Sequence, residues 1–235
     1  LNLLFDTSAV AVSDIPYVGI LTAVLGFVDT ECYRYGELAD EINLHTGGIY
    51  SAIGVYSHVK EERLETKYEV RAKILYDKLP KGMELIGEIL RKTKFSDSRR
   101  IYEILAQLKS RLQMNLGASG HSISATRAMS YFSQAAKYND MTTGIDFYRT
   151  VSHLEENYEQ EKEALAAKLQ KLTELIFRPE NLTVSLGCRS EGYELSVNNR
   201  QNDLTNSGQD LEAKAPENGE GYAVIERQMF ADEQT

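Results

Sequence analysis

The sequence predicts an α+β fold, an antiparallel β-sheet with helices packed mainly on one face. Tyr68, Val70, Ala72 and Ile74 alternate with Lys67, Glu69, Arg71 and Lys73, the period of a strand with one face in a core and the other in solvent. Most remaining apolar residues recur at helical spacing, in helices that cluster along the chain. A polar hairpin connection joins the two central strands, which argues against alternating βαβ units.

Taken in order, Leu1 to Phe5 is too short for a helix and reads as the end of a strand. Asp14 stands at an N-cap position, Pro16 in the first turn, and Ile20, Leu21, Val24, Leu25 and Val28 follow at helical spacing, predicting a largely buried helix over 15–27. A second, amphipathic helix runs from Tyr35 to His45, with Gly47 and Gly48 marking its end as the residues that adopt left-handed angles most readily. Ile49 to Tyr56 is a strand, "SHVKEERLE" a hairpin connection, and the alternating stretch around Val70 the next strand. On that register Val70→Asp buries an unpaired carboxylate at a cost of several kcal/mol, whereas Arg71→Asp costs under ~1 kcal/mol.

Pro80 opens a helix reaching Thr93, with Met83, Ile86, Ile89 and Leu90 on its apolar face. Ser96 caps a long helix striped by Ile101, Ile104, Leu105, Leu108, Leu112 and Leu116. The small-residue segment "GASGHSISATRAMSYFS" bends or interrupts it, leaving a turn around Ala125 to Ser130. Two further helices are expected near 144–156 and 159–177, then a strand at "NLTVSLGC" after Pro179. The domain is thus expected to occupy 1–194. Residues 195–221 are polar and lack an apolar period, the composition of a linker. Residues 222–235, "YAVIERQMF" and its tail, are a candidate first strand of a following domain.

The chain has 235 residues, 42% apolar and 26% charged, and a net charge of −9. That charge disfavours a nucleic-acid or anionic membrane partner and suits basic peptides. Cys32 and Cys188 stand far apart with no CxxC spacing, which argues against a zinc knuckle and for a reducing compartment such as the cytoplasm. No apolar run reaches the ~18 to 20 residues of a membrane span. The opening "LNLLF" reads as a piece cut from a longer protein.

Four histidines bound the chemistry. His45 reads as a helix C-terminal residue favoured by the dipole, and His153 as part of a charged helix face. His58 begins "HVKEE", one residue short of the inverted zinc-peptidase motif HxxEH, with Glu62 where the second ligand belongs. That motif needs a helix, and here it falls between strands. His121 has neighbouring serines but no acidic orienter. No glycine-rich phosphate loop and no GxSxG occurs. Residue chemistry alone gives a soluble α+β domain with no catalytic residue and no metal site.

Several blocks taken together carry a resemblance: "DIPYVGILTAVLGFVDTECY", "YGELADEINLHTGGI", "YEVRAKILYDKLPKGMELIGEIL", "RIYEILAQLKSRLQMNLGASGHS" and "RAMSYFS". In that order they resemble the third domain of presequence-protease-like members of the pitrilysin/insulinase family of zinc metallopeptidases, from Leu1 to about Tyr193. The resemblance implies four homologous α+β domains closing around a peptide-sized chamber, with zinc held by HxxEH in the first. The equivalent helix here contains no His and no Glu, so zinc would belong to the parent enzyme and not to this fragment. Gly47 and Gly48 would be the family's helix-to-sheet turn, and Ile49 and Ser51 candidate chamber-lining residues. The implied function is a non-catalytic domain forming part of the chamber wall of a peptidase that degrades unfolded peptides, its partners the parent's other domains. The alternatives are a non-enzymatic scaffolding or interaction module of the same fold, or a self-standing hydrolase using His121.

Overall fold

The computed structural model describes residues 1–57 and 63–188, and the backbone of Ala223–Glu226. Among the described residues five strands form one antiparallel sheet in the order β2-β3-β1-β4-β5: β1 Asn2–Asp6, β2 Ile49–Ser57, β3 Leu64–Ala72, β4 Leu182–Leu186 and β5 Ala223–Glu226. The helices are α1 Ile15–Val24, α2 Tyr35–His45, α3 Leu79–Arg91, α4 Ser98–Ala118, α5 Gly120–Met129, α6 Gln134–Thr143, α7 Ile145–Glu156 and α8 Tyr158–Ile176. The fold is α+β, as the alternation in β3 and the helical stripes dictate. "HVKEE" and the expected linker lie outside the described residues. The stretch expected to begin a following domain supplies β5, whose backbone pairs with β4.

Register sorts the sheet into two faces. Leu3 and Phe5 of β1 stand opposite Val70 and Tyr68 of β3, and Leu3 also faces Val184 of β4; these side chains make the sheet's contribution to the core. Phe177, just past α8, closes over them, its ring edge-to-face with Phe5 at 5.0 Å and with Tyr68 at 5.1 Å. Above this layer α1 is central and touches α4, α6, α7 and α8. None of its residues is exposed. An apolar helix with no polar stripe has no solvent side to present.

Several local expectations are corrected. α1 ends at Val24 because Gly26, at φ 85°, turns the chain, and Phe27 is left 56% exposed. Asp14 holds the N-cap position of α1 as expected, but its side chain accepts from Lys168 of α8 at 2.8 Å instead of capping the helix. The cap of α4 is Asp97, not Ser96, accepting from the Arg100 amide at 3.0 Å. Ile74 lies past the end of β3 and rests on Gly82 of α3. Glu69 was expected in solvent and is 1% exposed, held by Arg71 and the Tyr56 hydroxyl on the face away from the helices. The small-residue segment forms a full helix, α5, after a break at Ser119. α6 has no counterpart in the sequence reading, because "QAAKYNDMTT" buries Asp140 and Thr142 alongside Ala136 and Tyr138 and so shows no apolar stripe.

Candidate functional site

α1 is where the resemblance would set a metal. Its residues, "IPYVGILTAV", include no His, Cys, Asp or Glu, and its hydroxyl at Thr22 is spent on the Gly19 carbonyl at 2.7 Å. Zn2+ takes nitrogen, sulfur and carboxylate donors, so the helix does not fit the ion. Nor do the three histidines among the described residues converge. His45 ends α2 with its Nε2 3.7 Å from Glu41, one turn back. His121 stands exposed on α5. His153 of α7 lies with Nε2 2.9 Å from Glu161 and beside Asn157. Among the described residues no group of His, Cys, Asp or Glu is placed to hold a metal ion. Cys32 and Cys188 are both unpaired thiols. Cys32 donates to Glu88, which raises its thiol pKa and makes it a poor nucleophile at neutral pH.

Between α2 and β2 the chain reverses over three residues. Thr46 ends the helix in extended conformation (φ −137°), its Oγ1 donating to the Ile42 carbonyl at 2.7 Å and accepting from the Gly48 amide at 3.0 Å. Gly48 has φ 113°, whereas Gly47 does not have a positive φ. The Gly47 amide donates to the Lys73 carbonyl at 2.7 Å, and a Cβ there would come 3.1 Å from Lys73 Cβ. Close approach explains one glycine and backbone angle the other. Ile49 and Ser51 follow, half-buried, opposite Ala72 and Val70 and therefore on the helix-covered side of β2.

Among the described residues no helix covers the opposite face of the sheet, and it is largely polar. Lys67 donates to Asp6 at 2.7 Å across the β1–β3 pair and reaches Glu65 at 3.6 Å. Burial raises the Asp6 pKa, but the bonds from Lys67 and Ser8 more than offset it, and the carboxyl titrates below its ordinary range. Tyr56 donates to Glu69, which pushes the phenol pKa up. Where β1 begins and β3 ends, a cleft of about 470 Å³ opens between Asn2, Tyr50, Arg71, Lys73 and Ser185. It offers apolar walls, two cationic heads and amide and hydroxyl groups, an arrangement that can hold a chain segment. It contains no nucleophile–base pair. The sequence reading missed it, because its residues come from four strands and carry no motif; only the cations at Arg71 and Lys73, two apart in the chain, hinted at it.

Comparison with known proteins fits this picture. The family model for domains associated with subfamily C of the M16 peptidases matches residues 1–154. Protein HypA from Clostridium perfringens is 34% identical over 194 residues, covering 82% of this chain and 20% of that protein. The mitochondrial presequence protease of Yarrowia lipolytica is 27% identical over 175 residues, covering 73% and 18%. The chain thus spans about a fifth of the length of these curated relatives. Among solved structures, a conserved protein from Enterococcus faecalis V583 has a TM-score of 0.49 at 15% identity, covering 73% of this chain and 40% of that one. A peptidase M16 inactive domain from Pseudomonas fluorescens has 0.40 at 13%, covering 72% and 44%. With most of its length matched by the one model, this chain belongs to the family of domains associated with subfamily C of the M16 peptidases.

Proposed function

We propose that this chain is a non-catalytic domain of a zinc-dependent peptidase that degrades unfolded peptides, and that it forms part of the wall of the enclosing chamber. One observation carries the reading: a family defined by association with a peptidase matches a chain whose central helix is apolar and without a metal donor. Chemistry would then come from elsewhere in the polypeptide, with zinc activating water there. This domain's contribution is surface and rigidity. Its candidate wall is the rim of the sheet: the cleft beside Arg71 and Lys73 on one face and, on the other side of β2, the half-buried Ile49 and Ser51 that follow the Gly47–Gly48 turn. The net charge of −9 suits basic peptides as substrates. A reducing compartment agrees with two free thiols. Relatives carry the words mitochondrial or chloroplastic in their names, so an organelle interior is as compatible as the cytoplasm. Among the described residues no helix is long and apolar enough to cross a membrane.

Turnover of a quenched fluorescent unfolded peptide tests the reading. The natural polypeptide carrying this chain is expected to cleave it and to stop when zinc is chelated, whereas the chain alone neither cleaves it nor retains zinc after dialysis. Peptide binding without turnover by the natural polypeptide would replace the peptidase with a scaffolding module. Turnover by the chain alone, lost on His121→Ala, would overturn both.

A further inference from the structure

The turn between α5 and α6 breaks the pattern of the surface. Tyr131 and Phe132 are 76% and 80% exposed, and Met129 is 44% exposed. No residue of α5 is buried, although a helix of 10 residues is too short to persist in water by itself. What fixes it is polar. The Arg127 guanidinium donates to Asp140, a carboxylate with 0% exposure, and lies 2.8 Å from Asp146. Asp140 also accepts from the Ile145 amide at the start of α7, at 3.0 Å. The same guanidinium sits 5.4 Å from the centre of the Tyr131 ring. Amides of Phe132 and Ser133 both close back onto the Met129 carbonyl, at 3.1 and 2.9 Å.

Scattered exposed hydrophobic residues need no explanation, but these three stand within four positions on a backbone that is already pinned. Such side chains dock with little further loss of freedom, the property of interface anchors.

We propose that Met129, Tyr131 and Phe132 form a knob seated in an apolar recess of another domain of the same polypeptide. Area selects that occupant. Three side chains bury only a few hundred Å² (aromatics about 150–250 Å² each), well below the ~1,200 Å² of a free-standing specific complex. A contact that small holds only when the partner is tethered and its effective concentration is high. Relatives in which the matched stretch is about a fifth of the protein supply such tethered neighbours. The inference rests on reading this chain as one domain of a longer protein.

A photo-crosslinking residue, p-benzoylphenylalanine, placed at Tyr131 of the natural polypeptide tests it. After irradiation the product is expected to run as a monomer, with the cross-link mapping by mass spectrometry to a segment outside these 235 residues. A covalent dimer, a cross-link to an added unfolded peptide, or no cross-link would each overturn the proposal. Phe132→Ser, which leaves the Arg127–Tyr131 contact in place, is expected to lower the Tm of the natural polypeptide by more than that of the isolated chain; equal shifts in both would also overturn it. Peptide turnover by the same polypeptide reports separately on the reading beneath: loss of the cross-link with turnover intact removes the knob alone.

Discussion

Glu69 shows how much of a residue's role is fixed by what crosses the sheet beside it. Its carboxylate is 1% exposed, yet Arg71, two positions along the strand, donates through Nε at 3.0 Å, and Tyr56 of β2 donates its hydroxyl. A Cβ at Gly54 would collide with the same carboxylate, so the glycine makes the space it occupies. Removing a donor leaves a buried charge short of partners. Arg71→Ala is therefore expected to lower stability by about 1–2 kcal/mol, more than the sequence pattern implied, while Glu69→Gln costs less because an amide still accepts. Val70→Asp, facing the core at 1% exposure, remains the severest of the three. Urea midpoints of the variants decide this, and an Arg71→Ala variant as stable as the parent would refute the coupling. Alternation placed Val70 correctly because burial toward helices leaves a period in the chain. It misplaced Glu69, because a carboxylate covered by its own neighbours leaves none. His45 was legible from its position at a helix end, whereas the cleft beside Arg71, gathered from distant strands, was not.

At the scale of elements, the packing of α1 turns on a missing side chain. A Cβ on Gly19 would stand 2.7 Å from Phe147 of α7 and 2.9 Å from the Thr142 carbonyl of α6. Backbone cannot yield as a flexible side chain does, so Gly19→Ala is expected to destabilise by about 1–3 kcal/mol. Gly87, inside α3 with nothing within 4 Å of its would-be Cβ, is the control. There, Gly87→Ala gains about 0.5–1 kcal/mol of helix propensity. Thermal melts showing both substitutions with the same sign would refute the packing of α1 against α6 and α7. The long apolar stripes of α4 and α8 made those helices readable. α6 was not, since its inward face carries Tyr138, Asp140 and Thr142, and Tyr138 docks by its hydroxyl, 3.2 Å from Thr7. The end of α1 was misjudged for a related reason: apolar residues continue past Val24, but Gly26 redirects the backbone beneath them.

Over the whole molecule, charge sets the response to acid. Asp6, Asp14, Glu88 and Asp146 all titrate below their ordinary values. In Asp14 the Lys168 hydrogen bond is the chief cause; in the others burial opposes and hydrogen bonds from Lys67, the Cys32 amide and Lys137 prevail. A carboxylate with a depressed folded pKa contributes stability that is present above its unfolded pKa, about 4, and disappears as pH falls through the folded value. The Tm is thus expected to hold between pH 7 and the isoelectric point near 5.1, where self-repulsion fades, and to fall steadily below about pH 4. A Tm that rises on acidification below about pH 4 would contradict these assignments. Fold class was legible because two periods, about 2 and 3.6 residues, segregate along the chain. Strand order was not, because β1 sits between β3 and β4 through contacts that no local pattern records. The burial of α1 finally bears on redesign. A histidine pair grafted onto that helix would enter a packed core with no room for water or substrate, so two substitutions do not create a hydrolase. Each neighbour packed against α1 makes the exclusion firmer.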